Sequence, residues 1–149
     1  MSGNLWFYCA LAASICWGLC YAITDVLLKK GGLPPVFLML VRTSIILPFW
    51  IMLIAYTGEF DKGWNLMAQS PKYTALIILE TFLVMGGVFL ITYAISLKNA
   101  TTVNIIEITY PLFTALFAYF IFKESQVNMW TAIGGLMIFS GVAVIYLKA

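Results

Sequence analysis

The chain has 149 residues, 63% of them hydrophobic and 9% charged, with a mean hydropathy of +1.00 and a formal net charge of +2. A soluble domain carries about a quarter charged residues to face water, so this composition excludes a large soluble core. So small a net charge also argues against nucleic acid or a polybasic lipid-binding surface, and the absence of histidine removes the commonest metal ligand and near-neutral titrating group.

A spanning helix needs about 20 mostly apolar residues, each rising ~1.5 Å across a core of ~30 Å. Five stretches meet that length, so the predicted fold class is an all-α membrane protein with five transmembrane helices in one domain over residues 1–149. The first stretch runs from Leu5 to about Leu28 and stops at Lys29-Lys30-Gly31-Gly32. No basic region precedes it and it is too long for a signal-peptide core, so it reads as a retained span. The second opens on Pro34-Pro35, where a missing N–H costs nothing, and runs over 35–57. The third occupies 73–96, the fourth 101–122 and the fifth 128–147, the last two forming a tight antiparallel hairpin. Between the second and third, Asp61–Pro71, with Trp64 and Met67, reads as a short interfacial piece.

Ionisable residues within spans cost a few kcal/mol each, so each is a functional hypothesis. Four fall there: Asp25, Arg42, Glu80 and Glu107. From the helix rise, Asp25 lies about one turn, Arg42 roughly 10 Å and Glu107 roughly 9 Å from one face, whereas Glu80 lies roughly 10 Å from the opposite face. Arg42 is expected either to pair with Asp25, locking two helices, or to take part in a binding pathway. Polar and aromatic residues recur at helical spacing around these charges. Ser14, Trp17, Tyr21 and Asp25 form one stripe on the first span. Asn104, Glu107, Tyr110 and Thr114 form another on the fourth, and Thr92, Tyr93 and Ser96 end the third. Such stripes face a partner helix or a water-filled cavity, since lipid leaves their polar groups unsatisfied. Trp6, Tyr8, Trp50, Tyr56 and Trp130 instead suit interfacial anchors; Trp17 is too deep for that role.

The expected substrate or ion pathway therefore comprises Trp17, Tyr21, Asp25, Arg42, Glu80, Tyr93, Asn104, Glu107 and Tyr110. Pro111 removes a mid-span hydrogen bond and predicts a bend there, either a passive kink or an exposed-carbonyl site beside Glu107. Gly134 and Gly141, seven apart on the last span, suit close packing against a neighbour or a second protomer. Cys9, Cys16 and Cys20 share one face of the first helix and read as small packing residues rather than a metal or redox site. No phosphate loop, Ser/His/Asp set or metal-ligand cluster is legible, so neither an enzyme nor a cofactor is expected.

These residues resemble the EamA-type repeat of the drug/metabolite transporter superfamily. The likeness rests on Cys16-Trp17-Gly18 with Lys29-Lys30, and on Pro34-Pro35 with Arg42 seven residues after Pro35. The closing hairpin adds Ala100 through Tyr110-Pro111, Phe122-Lys123-Glu124, Gly134-Gly135 and Gly141. The family usually places Glu immediately before that proline; Tyr110 stands there, and Glu107, one turn earlier, is the candidate to replace it. The resemblance implies a ten-helix architecture built from two oppositely oriented five-helix repeats. A single repeat would then form an antiparallel homodimer, bringing Glu80 of one copy to the depth of Asp25, Arg42 and Glu107 of the other. What it implies functionally is a secondary transporter of a small polar or amphipathic metabolite, exporting or exchanging it by alternating access in a bacterial inner membrane. An organic-cation exporter is the alternative within transport, and a non-transporting subunit of a larger complex the alternative outside it. The intramembrane charges favour transport over the last.

Topology follows from lysine and arginine asymmetry. The face holding the N-terminus carries Lys62, Lys72 and Lys123; the other carries Lys29, Lys30, Lys98 and Lys148. With the α-amino group counted, the bias vanishes, which fits either an orientation set by a partner or insertion in both orientations, the latter favoured by the resemblance. A label on Lys148 is accordingly expected to be reachable from both sides of intact cells, and one-sided access would rule dual insertion out.

Overall fold

The computed structural model describes residues 5–125 and 127–148, and among them the only regular structure is helical. Seven helices follow in order: α1 (Leu5–Lys29), α2 (Pro35–Thr57), α3 (Phe60–Gln69), α4 (Pro71–Leu97), α5 (Ala100–Glu107), α6 (Tyr110–Phe122) and α7 (Met129–Lys148). With α5 and α6 counted as one interrupted span, five helical segments are long and apolar enough to cross a membrane. Almost none of their residues is buried within the chain, and Tyr56, Trp130 and Tyr146 are among the most outward-facing. In water such a surface would be untenable; in hydrocarbon it is the solvated surface. The protein is an integral membrane protein.

The helix ends lie where backbone chemistry sets them. Gly32 at φ 65° ends the α1 turn, where the Leu33 N–H donates to the Leu27 carbonyl at 3.1 Å. Pro35 starts α2 with Pro34 extended before it, and Gly58 at φ 67° closes it by donating to Ile54. Asn99 caps α5 by accepting from the Thr102 N–H at 2.8 Å, and Asn128 caps α7 by accepting from the Thr131 N–H at 2.8 Å. These side-chain oxygens satisfy first-turn donors that otherwise lack partners.

The fourth span is broken rather than merely bent. Its helical run stops at Glu107, turns through Ile108 and Thr109, and resumes at Tyr110 with Pro111 in the first turn of α6. Proline has no N–H to offer the carbonyl four residues earlier, which belongs to Glu107, and its ring crowds that carbonyl. The turn instead closes through tighter bonds, Thr109 N–H to Ile106 and Leu112 N–H to Thr109. The expected bend at Pro111 thus falls one turn earlier, beside the acid.

The helices form two compact units. One comprises the described residues up to Ala22 and from Lys98 onward; the other comprises Ile23–Leu97. In the second, the buried side chains are Thr24, Leu28, Leu38, Thr92 and Ile95, at the end of α1, the start of α2 and the end of α4. In the first they are Ala100, Val103 and Ala118. There α7 approaches α6 through Gly135, where a Cβ would come within 2.5 Å of Leu112 Cδ2. Gly134 and Gly141, expected as packing glycines, meet nothing within 4 Å in the chain, so the in-chain contact belongs to their neighbour.

Overpacking a tight contact costs about 1–3 kcal/mol. Gly135→Leu is therefore expected to lower the melting temperature of the detergent-purified protein, whereas Gly134→Leu leaves it unchanged; thermal unfolding followed by circular dichroism checks both.

Candidate functional site

In the unit joining the start of α1 to α5–α7, three of the expected pathway residues meet. Tyr21 donates its hydroxyl to Glu107 Oε1 at 3.0 Å, linking α1 to α5 across 86 residues of sequence. Trp17, one turn before Tyr21, stacks on its ring with centroids 5.6 Å apart and planes 27° off parallel. The indole remains more than half exposed while Tyr21 and Glu107 are half-buried. The tyrosine thus fixes the carboxylate by a charge-assisted bond, and the indole presents an aromatic face to one side of it. Asn104 stands one turn before Glu107 on α5, and its Oδ1 is buried without a hydrogen-bond partner among the described residues. A carboxylate has lone pairs beyond the one Tyr21 occupies, and an orphaned amide oxygen accepts only. The cluster therefore presents hydrogen-bond acceptors beside an aromatic surface. Tyr110, at the start of α6 beyond the break, is exposed.

The remaining charges lie in the other unit. Arg42 of α2 donates through Nη2 to the hydroxyl of Thr24 on α1, and Thr24 is fully buried. Asp25, the alternative partner expected for Arg42, instead lies with Oδ1 2.8 Å from Lys29 Nζ. That contact is an ion pair by distance and not an aligned hydrogen bond, since Oδ1 has no hydrogen-bond partner. Its spacing of four residues lets the lysine reach back along α1 from the helix end. Tyr93 stacks on Phe89 within α4, with centroids 6.0 Å apart and planes 14° off parallel.

Glu80 has a setting of its own. It lines a groove of about 750 Å³ between α2, α3 and α4, with Ile54, Phe60, Trp64, Tyr73 and Ile77 among the walls. The short interfacial piece expected before the third span is α3, and its Phe60, Trp64 and Met67 recur on one face toward that groove. Thr24 is the residue that sequence reasoning passed over. It sits three residues after Tyr21 on the same stripe, but a threonine among apolar residues reads as neutral until an arginine is seen to need it.

A chain of five apolar helical spans with aromatic and acidic residues paired inside them is a polytopic membrane protein. The chain belongs to the EamA-like transporter family, whose sequence profile matches residues 4–147. Over 100 residues it is 29% identical to the UDP-galactose/UDP-glucose transporter 4 of Arabidopsis thaliana. That alignment covers 67% of this chain and 28% of the relative, so the chain spans little more than a quarter of that protein's length. No solved structure matches the chain.

A hydrogen bond to a charged group contributes about 1.5–3 kcal/mol. Thr24→Val keeps the buried volume and removes the acceptor, and is expected to destabilise the protein by about 1–3 kcal/mol, read from the shift in its detergent-denaturation midpoint.

Proposed function

We propose that the chain is a secondary membrane transporter of a small polar or amphipathic metabolite, working by alternating access as an antiparallel homodimer. Membership of the EamA-like transporter family supports the transport class. The single observation that carries the site is the Tyr21–Glu107 hydrogen bond with Trp17 stacked behind it. Inside a span, a carboxylate held by a tyrosine is costly unless it is used. Here it stands beside a break in the span that carries it, at Ile108–Thr109, and breaks of this kind accompany binding positions in transporters. Trp17 supplies a platform for an apolar or ring-shaped part of the substrate, and Glu107 and Asn104 accept from its donors.

The dimer reading is supported by the five spans: two copies in opposite orientations would rebuild an inverted pair. The balanced lysines allow both orientations. A bacterial inner membrane is the setting that this reading assigns.

The test is uptake by the purified chain in liposomes, starting from nucleotide sugars, the substrates named for the Arabidopsis relative, and extending to small amines and sugars. Glu107→Gln is expected to cut uptake at least about tenfold and Tyr21→Phe less, in line with the loss of one hydrogen bond to a charge, with helical content unchanged. Undiminished uptake by Glu107→Gln would remove the acid from the pathway.

A further inference from the structure

The break in the fourth span leaves oxygen atoms together and gives them no positive charge. Glu107 is the last residue of α5. It stands at the negative end of that helix's dipole, where an acid is disfavoured and a cation is favoured. Among the described residues it pairs with no lysine or arginine; the ion pair there is Lys29 with Asp25. The Tyr21 hydroxyl occupies Oε1 alone, which leaves the lone pairs of Oε2 open. Asn104 lies three residues earlier on the same face of α5. Its main-chain oxygen accepts from the Ile108 N–H, but its side-chain Oδ1 is shielded from solvent and has no hydrogen-bond partner among the described residues. The main-chain carbonyl of Glu107 is open for a different reason. The N–H that an unbroken helix would offer it belongs to residue 111, a proline, and the next N–H, that of Leu112, goes to Thr109.

We propose that Glu107 and Asn104 bind a sodium ion, which serves the transport reading above as its coupling ion. The donor set is all oxygen, a carboxylate beside an amide, which suits a hard cation. Charge selects a monovalent one. A single carboxylate balances a single positive charge, whereas a divalent ion would carry an uncompensated charge into hydrocarbon. The open end of α5 adds its dipole, and the ends and bared carbonyls of interrupted helices are where transporters hold sodium. With sodium in place Glu107 is neutralised at little cost in the membrane, and the exposed indole of Trp17 stays available to a substrate. Tyr21 acts as a positioning residue, since its bond fixes one carboxylate oxygen and so sets where the other stands. Every residue of the site belongs to the unit that joins the start of α1 to α5–α7.

The experiment is equilibrium binding of radiolabelled sodium to the full chain in phosphatidylcholine nanodiscs, with choline chloride holding the ionic strength constant and no transport substrate present. Saturable binding is expected, weakened at least about tenfold by Glu107→Gln and by Asn104→Leu, as loss of an ion's support commonly does. Pro111→Ala returns an N–H to the Glu107 carbonyl and should weaken binding several-fold. Glu124→Gln, a carboxylate beyond the end of α6, should leave it unchanged. Matching helical content by circular dichroism shows that a loss is not unfolding. Absence of saturable sodium binding, or binding indifferent to both Glu107→Gln and Asn104→Leu, would overturn the site while leaving the transport reading to the liposome assay. Uptake that proceeds equally in sodium and in choline would overturn the coupling role. Sodium bound by a chain that takes up none of the solutes tested would confirm the site and count against the transport reading instead.

Discussion

Hydrocarbon offers no partner to a hydrogen-bonding group, and most of this structure is the result of meeting that demand from within. Helices satisfy their own backbones. The hydroxyls along them do the same by donating back to a carbonyl on the preceding turn: Ser14 to Ala10, Ser44 to Leu40, Thr81 to Ile77, Thr92 to Val88 and Ser140 to Leu136. The polarity of such residues is met locally. What remains is the small set whose polarity cannot be spent that way. Arg42 reaches across to Thr24, and Tyr21 reaches across to Glu107. These long-range bonds help fix which helices meet, because lipid tails solvate leucine as well as another helix would.

The spans and their boundaries were readable because each rests on a local signal. Proline at the start of α2, glycine at its end and asparagine caps on α5 and α7 are written within a few residues of where they act. The candidate acids were readable for a similar reason, since a charge inside an apolar run stands out against its neighbours. Partnership was not. Nothing local says that Tyr21 belongs to Glu107 rather than to water, or that Arg42 would choose Thr24 over Asp25. A short piece after the second span was legible from Trp64 and Met67, but the groove it forms with Glu80 needs three helices to exist. Gly134 and Gly141 were chosen by spacing, yet the close approach fell on Gly135, because which face of α7 meets α6 depends on how two helices rotate.

The interruption in the fourth span ties these strands together. An unbroken helix would carry the Glu107 carbonyl in a normal bond and leave only its side chain to consider. Pro111 withholds that bond, and the chain turns at Ile108 and Thr109 through tighter bonds instead. The stacked pair on α1 then faces a residue whose backbone is as unusual as its side chain.

That interruption gives Glu107 an unusual place in the backbone. Its side chain is held by Tyr21 of α1, while its main-chain carbonyl stands where Pro111 has no N–H to offer. The Tyr21 bond therefore ties α1 to the α5 side of the break alone, and a change of angle at Ile108 and Thr109 would leave it intact.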